Sequence, residues 1–566
     1  MFCSLSKFAQ ALLVLTLATV AYASAIDTVR QADHACARCH QTIYQNYIET
    51  TMANASGLAI DVAVPRAFTQ ASSGITYQVK IENGNVLLTY KRAGGPSLSG
   101  HYSLEYFFGS GRQGRSFIYS QDHYLFEAPL SYYSAKSTYD LRPGYLQAKE
   151  LPSALPLNSQ CLICHMSGVQ REDSGTVNRY SGFPFLHGGI TCEACHGDTS
   201  AHVLHHGKGR LLEMSKLGPL ERDSICLRCH LESETSVARR GRSLSDFKPG
   251  DRLSDDVSYF VHTGEQGSTG RAVSQVEALA KSECKRRSGE RMSCTTCHDP
   301  HSTPAPSERV LYYRSKCLGC HTQPRFASSH YRRIPDCTSC HMPKSPTSDI
   351  PHAQVTDHRI LRIEGEHAGE AEAPIHEGTL IPVSGIGERP SIRSFGLAFY
   401  RLGLSGDPDA IKNSWDLLQK ALQADPNDSE VLSALGFIAQ MRGDVTQSEE
   451  FLEKAYKLNP TNVYVANDVG VLLASSGKLN QAANVWTDLF ARNQDLVDLG
   501  DNLALLQCRL GRKPVAIETL QRVLHFSPDH RPTQDLLSRI QLGDKQCISI
   551  HASKGESSSA NGKQVK

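Results

Sequence analysis

The chain has 566 residues, 40% hydrophobic and 21% charged, with a formal net charge of +1. That length exceeds one small core and predicts two or three domains. The balanced charge excludes a nucleic-acid footprint and a polyacidic tail. The departure from ordinary composition is in 18 cysteines and 24 histidines.

Residues 1–25 read as an export signal. Lys7 precedes the apolar run "ALLVLTLATVAYASA", which ends in Ala23-Ser24-Ala25, the small-residue pattern for signal cleavage. Cys3 lies before that run, so it is not a lipoprotein cysteine. No later stretch reaches the roughly 18 apolar residues of a transmembrane helix. The expectation is export, with cysteine chemistry taking place outside the cytoplasm.

The first motif follows as Cys36-Ala-Arg-Cys39-His40. The same C-x-x-C-H pattern recurs at Cys161, Cys164 and His165, at Cys192, Cys195 and His196, and at Cys226, Cys229 and His230. It returns at Cys294, Cys297 and His298, at Cys317, Cys320 and His321, and at Cys337, Cys340 and His341. Composition alone would give about 0.02 copies of this haem-attachment pattern. Two thiols at this spacing add to the two vinyl groups of haem, and the adjacent histidine ligates the iron from the same side. A zinc knuckle pairs C-x-x-C with a second pair and needs no histidine directly after each. Seven covalent c-type haems are expected, with the fourteen motif cysteines as thioether donors and the seven motif histidines as proximal ligands.

Between the first two motifs the hydrophobic period becomes two. "ITYQVKIENGNVLLTYKR" alternates on either side of Asn83-Gly84, a hairpin signal, and "RSFIYSQDHYLFEAPLSYY" reads as a second hairpin. Residues 60–135 are expected to form a small antiparallel β insertion within a haem domain spanning 26–362. Arg112 and Arg115, flanked by glycines, suit haem propionates; exposed loop arginines are the alternative. The short spacing between later motifs places successive haems side by side, so that the haems form much of the core.

Residues 363–391 are rich in Gly, Pro and Glu without period and read as a linker. From 392 to 540 a 34-residue frame appears. Gly443, Gly477 and Gly511 recur in it, as do Gly436, Gly470 and Ala504, with Pro426, Pro460 and Pro528 ending units. This resembles tetratricopeptide repeats, about three units after an irregular helix pair, and implies an all-α solenoid that docks a protein partner. Outside the motifs, the mature chain keeps Cys284, Cys508 and Cys547. Cys508 is expected in a helical core, with a Cys508–Cys547 disulfide as one option. Residues 541–566 read as a disordered tail.

Several stretches beyond the motifs carry a second resemblance. They include "CARCHQTIYQNYIETTMANASG", "GGITCEACHGDTSAH", "RMSCTTCHDPH" and "DCTSCHMPKSPTSDIPHAQVTDHRI". The region from about 30 to 362 is similar to multihaem c-type cytochromes of the doubled-CxxCH kind, related to the tetrahaem acceptor of hydroxylamine oxidoreductase. That resemblance implies a haem fold with little regular secondary structure. It also implies distal iron ligands, nominated here as His301, His352, His358, His202, His330, His187 and His262. Members of that family carry a histidine in the segment corresponding to "AVSQVEALAKSEC", where this chain has Gln275. No C-x-x-C-K variant is present.

The function expected is electron transfer through closely spaced, mostly bis-histidine haems, in the periplasm or on the outer surface of a bacterium, with the repeats docking a redox partner. The alternative is a multihaem oxidoreductase with one open haem acting on a small nitrogen or sulfur species. A third reading makes the repeats primary and the haems a sensor or structural element. The catalytic residues of such an enzyme are not legible in the sequence.

Overall fold

The computed structural model describes residues 33–94, 97–262, 273, 275–322, 336–347, 349–361, 380–383 and 386–543. Its first half is built around a nine-stranded antiparallel sheet. The strands are β1 (Ser56–Leu58), β2 (Arg66–Thr69), β3 (Ile75–Glu82), β4 (Asn85–Arg92), β5 (Ser99–Phe108), β6 (Gly114–Gln121), β7 (Tyr124–Tyr133), β8 (Thr138–Leu141) and β9 (Leu155–Pro156). β2 to β8 pair in sequence order, β1 adds to β5, and β9 adds to β7. The edges nearly meet: the Tyr139 hydroxyl on β8 accepts from Val64 N at 3.1 Å, and Arg66 on β2 donates to the Ser137 carbonyl. The sheet is larger than the expected insertion and runs from 56 to 156.

Both predicted hairpins form. Asn83 and Gly84 take φ of 51° and 78°, and Asp122 and His123 take 53° and 71°. Two successive positive φ values match the twist of the flanking strands. Ile75, Tyr77, Val79, Val86, Leu88 and Tyr90 point into the sheet's interior, as their alternation requires. Ile81, next to the turn, is exposed instead. β7 is buried on both faces, because further structure packs outside it.

That outside layer includes the C-terminal helices. They are α1 (Ile392–Leu404), α2 (Pro408–Ala424), α3 (Ser429–Met441), α4 (Val445–Leu458), α5 (Val463–Ser475), α6 (Leu479–Arg492), α7 (Val497–Arg509), α8 (Lys513–Phe526) and α9 (Arg531–Gln541). They stack as antiparallel pairs with a final single helix. The first helices of successive pairs touch, α1 on α3, α3 on α5 and α7 on α9, and so form the solenoid's inner layer. The 34-residue frame has a packing cause. A Cβ at Gly470 would meet the Trp486 indole at 2.1 Å, and one at Gly436 would meet Leu452 at 2.6 Å. Small residues at that position let paired helices approach. Asp407, Asp428, Asp444 and Asn462 cap α2 to α5 through their side chains. Cys508 is buried on α7 and disulfide-bonded, while Cys547 lies outside the described residues.

The solenoid is seated on the first half at two places. Arg393 Nη1 and Arg240 Nη2 donate across the junction to Ala238 O and Asn427 O at 2.9 and 3.1 Å. At the far end Tyr124 donates to Arg492 O at 2.7 Å and Gln121 to His525 O at 3.1 Å. Phe526, 1% exposed, enters the same core as Tyr77, Phe126 and Leu130 of the sheet. Within the predicted linker, Leu380–Pro382 is a strand paired with Val257–His262, and Leu380 joins Val237 and Phe260 in the core of the first helix pairs.

Candidate haem-attachment sites

Each motif occupies a short helical turn or a helix end. His40 N donates to Cys36 O at 2.9 Å, and the equivalent bond recurs at His196, His298 and His321 at 2.9, 3.0 and 3.0 Å. A helical turn places residues three and four apart on one face. Both thiols and the imidazole of a motif therefore project together. All fourteen motif cysteines are free thiols.

Separate motifs meet through these thiols. Asp33 accepts from Cys192 N at 3.0 Å, and its carboxylate lies within 4.8 Å of the Cys36 and Cys192 sulfurs, joining the first motif to the third. Cys164 Sγ contacts Arg228 O at 3.7 Å while Cys229 Sγ contacts Ile163 O at 4.0 Å, joining the second to the fourth.

Three histidine pairs stand out. His40 and His202 have ring centroids 6.4 Å apart with planes 17° from parallel. His196 and His301 are at 6.0 Å and 16°, and His298 and His358 at 6.3 Å and 33°. With a metal–imidazole bond of about 2 Å, two rings on opposite sides of one ion have centroids about 6 Å apart. Each pair joins one motif histidine to one nominated distal histidine. Burial lowers His196, His230, His298 and His358, favouring the neutral imidazole that binds a metal. Burial and then His230 push His165 down to about 4.

The other nominated histidines are placed differently. His352 has φ 61°, packs its ring edge-on to Tyr133 at 5.2 Å and lies 3.6 Å from the Asp140 carboxylate. His187 sits on a two-residue strand paired with Met166–Ser167, near Asp33. His262 ends the strand Val257–His262, and His330 lies outside the described residues. Gln275 opens the helix Gln275–Lys281.

The residues present fit haem in a second respect. Arg115, Arg179, Arg222 and Arg228 each bury a guanidinium Nε that has no hydrogen-bond partner among the described residues. Haem propionates are carboxylates that would satisfy such groups. Arg112 lies close enough to help lower His298. Sequence reasoning reached Arg112 and Arg115 through their glycine-rich loop. It missed Arg222, Arg228 and Asp33, for which only proximity to a motif was a signal.

A family model described as the doubled CXXCH motif matches residues 287–326, and one described as cytochrome c554 and c-prime matches residues 134–197. Over these two segments the chain is similar to multihaem c-type cytochromes, and its C-terminal helix pairs follow the 34-residue frame of tetratricopeptide repeats. The chain is 22% identical over 180 residues to the multihaem cytochrome MtrA of Shewanella baltica (strain OS185), covering 29% of this chain and 53% of that protein. It thus spans about half the length of the curated relative it matches. Among solved structures, one of MamA is 21% identical over 24% of this chain and 80% of its own, with a TM-score of 0.23. YrrB, a TPR protein with an unusual peptide-binding site, is 19% identical over 25% of this chain and 71% of its own, with a TM-score of 0.23. PilF of Pseudomonas aeruginosa is 19% identical over 27% and 69%, with a TM-score of 0.24.

Proposed function

We propose that this cytochrome carries seven covalent haems and transfers electrons outside the cytoplasm, in the periplasm or at the outer surface of a bacterium. The observation that supports this most directly is the set of three histidine pairs with centroids 6.0–6.4 Å apart. Covalent haem supplies a one-electron carrier whose potential follows its axial ligands and surroundings. The protein's part would be to hold two imidazoles to each such iron, His40 with His202, His196 with His301 and His298 with His358, which would leave no open site for a substrate. Buried arginines compensate propionate charge, and the sheet and helices exclude water. His301, His358 and His202 are the distal ligands we assign to the irons of His196, His298 and His40. The surface of the repeats left free by the haem body docks the redox partner.

Intact mass of the exported protein tests the haem count; a polypeptide without added haem mass would overturn the proposal. Optical and electron paramagnetic resonance spectra test the role. Low-spin signals that do not respond to nitrite or hydroxylamine support electron transfer. A high-spin fraction that shifts on adding either makes the protein an oxidoreductase instead.

A further inference from the structure

We propose that the basic end of the haem body, around the sixth motif, is a docking surface for an acidic one-electron carrier protein, separate from the surface of the repeats. The inference rests on the reading of the motifs as haem-attachment sites.

Three observations carry it. The first is where the motifs lie. Of the fourteen motif thiols, Cys39 and Cys320 are exposed and the other twelve are partly covered. The first and sixth motifs are therefore outermost. A run of contacts joins them through the interior. Asp33 bridges Cys36 to Cys192, and His196 of the third motif stands opposite His301, three residues past the fifth. Tyr313, on the helix Arg309–Leu318 that carries Cys317, meets His298 edge-on with centroids 5.7 Å apart and its hydroxyl 3.4 Å from Nδ1. An array that passes electrons receives them at one place and delivers them at another, and this one reaches the surface at two ends.

The second observation is charge. Residues 281–336, with the fifth and sixth motifs, hold 11 Lys and Arg against 5 Asp and Glu, while the whole chain nets +1. Residues 33–61, with the first motif, hold one Arg against three Asp and Glu. The two ends thus differ in sign. The two haems of the basic end bring four propionates, which leaves part of its surplus uncovered. Arg286 and Arg287 are 65% and 78% exposed and share one partner, Glu283. Lys285 Nζ donates to Met292 O at 2.5 Å, which holds their helix, Glu283–Ser288, beside the fifth motif.

The third is an apolar centre within this charge. Leu311 is 64% exposed on the helix of the sixth motif, next to Tyr312, whose ring centroid lies 4.9 Å from Lys316 Nζ. Apolar centres with polar rims mark protein interfaces, and small ones suit transient electron transfer. Positive charge around such a centre steers an acidic partner onto it. Docking lets one electron pass between the carrier and the haem held by Cys317 and Cys320; no bond is made or broken.

The test uses the full-length, haem-loaded protein and, as probe, a reduced plant-type ferredoxin, an acidic one-electron donor. Each transfer oxidises one ferredoxin cluster and reduces one ferric haem. The second-order rate constant from stopped-flow absorbance should fall steeply as salt rises, because salt screens the attraction. Arg287→Glu with Arg309→Glu, both at exposed positions, should keep the seven-haem mass and the low-spin spectrum. It should lower the rate constant about ten-fold at low salt. Lys80→Glu with Lys91→Glu makes the same charge change on the outer face of β3 and β4 and should lower it by less than about two-fold. Cys317→Ser with Cys320→Ser should lose one haem by mass and most of the salt-dependent rate. Equal slowing by the two charge variants, a rate indifferent to salt, or a wild-type rate without the sixth haem overturns the proposal while leaving the haem reading intact. A cysteine variant that loses no haem mass overturns both.

Discussion

Arg92 and Asp529, 437 residues apart, form an ion pair with side chains 7% and 3% exposed, one Nη1···Oδ1 contact measuring 2.9 Å. Asp529 also accepts from Leu151 N at 2.9 Å. One carboxylate thus ties the loop before the last helix to the sheet. Removing one partner of a buried pair strands the other charge and costs about 3–5 kcal/mol. Asp529→Ala should loosen the junction by that amount. Both tryptophans, Trp415 and Trp486, lie in the repeats, while all seven motifs lie outside them. Haem quenches nearby indole emission, so steady-state fluorescence should rise in the variant. Unchanged emission and unchanged thermal stability would remove this pair from the account of docking.

The distal assignments predict a contrast among histidine variants. His202→Ala, His301→Ala and His358→Ala should each convert about one haem in seven to high spin, with its haem retained, because thioether attachment depends on the motif alone. His352→Ala should leave spin states unchanged, since its ring lies against Tyr133 and Asp140 rather than a motif histidine. Electron paramagnetic resonance of the four proteins decides this. A high-spin signal from His352→Ala alone would reverse the assignment.

Asp495, 6% exposed in the α6–α7 loop, gives a pH dependence. Burial pushes its carboxyl from 3.8 up to about 7, against the opposing influence of backbone and Asn178. Between those two values the folded protein holds a proton that the unfolded chain has released. This group's contribution to stability therefore falls as pH rises through that window. Asp495→Asn removes the titration. The melting temperature of the variant relative to wild type should climb between pH 5 and pH 8, and a constant difference across that range would refute the assignment.

Residues 386–543 expressed alone should be helical, since helix pairs bury Ala434, Leu435, Leu452 and Trp486 against one another. They should also melt earlier than the intact protein and self-associate. Phe526 and the first helix pair lose their cover from the sheet and from Val237, Phe260 and Leu380. Circular dichroism and light scattering check this; a monomer as stable as the parent would show that the shared core contributes little.

The motifs and the repeats were legible in the sequence because their geometry is local. In Cys192 to His196, one helical turn sets the positions of two thiols and an imidazole. The 34-residue frame repeats the contact of Gly470 with Trp486, and a contact made by neighbours in a repeating unit leaves a periodic trace. The two hairpins were readable for the same reason, at Asn83-Gly84 and Asp122-His123.

Other features left no local trace. The linker reading of 363–391 rested on composition, and composition does not reveal that Leu380–Pro382 completes a sheet with Val257–His262. His301, His352 and His358 looked alike as histidines near late motifs, yet only His301 and His358 stand opposite motif rings. His202 follows the third motif in sequence and stands opposite His40 of the first.

The sequence by itself determined the attachment chemistry and the repeat architecture, because both depend on residues within one turn or one repeat. The tertiary structure decided which histidines face each other and that the solenoid closes onto the haem body through Arg92 and Asp529. Those contacts join residues up to 437 positions apart. They form only when the packing of many intervening side chains offsets the entropy of closing such loops.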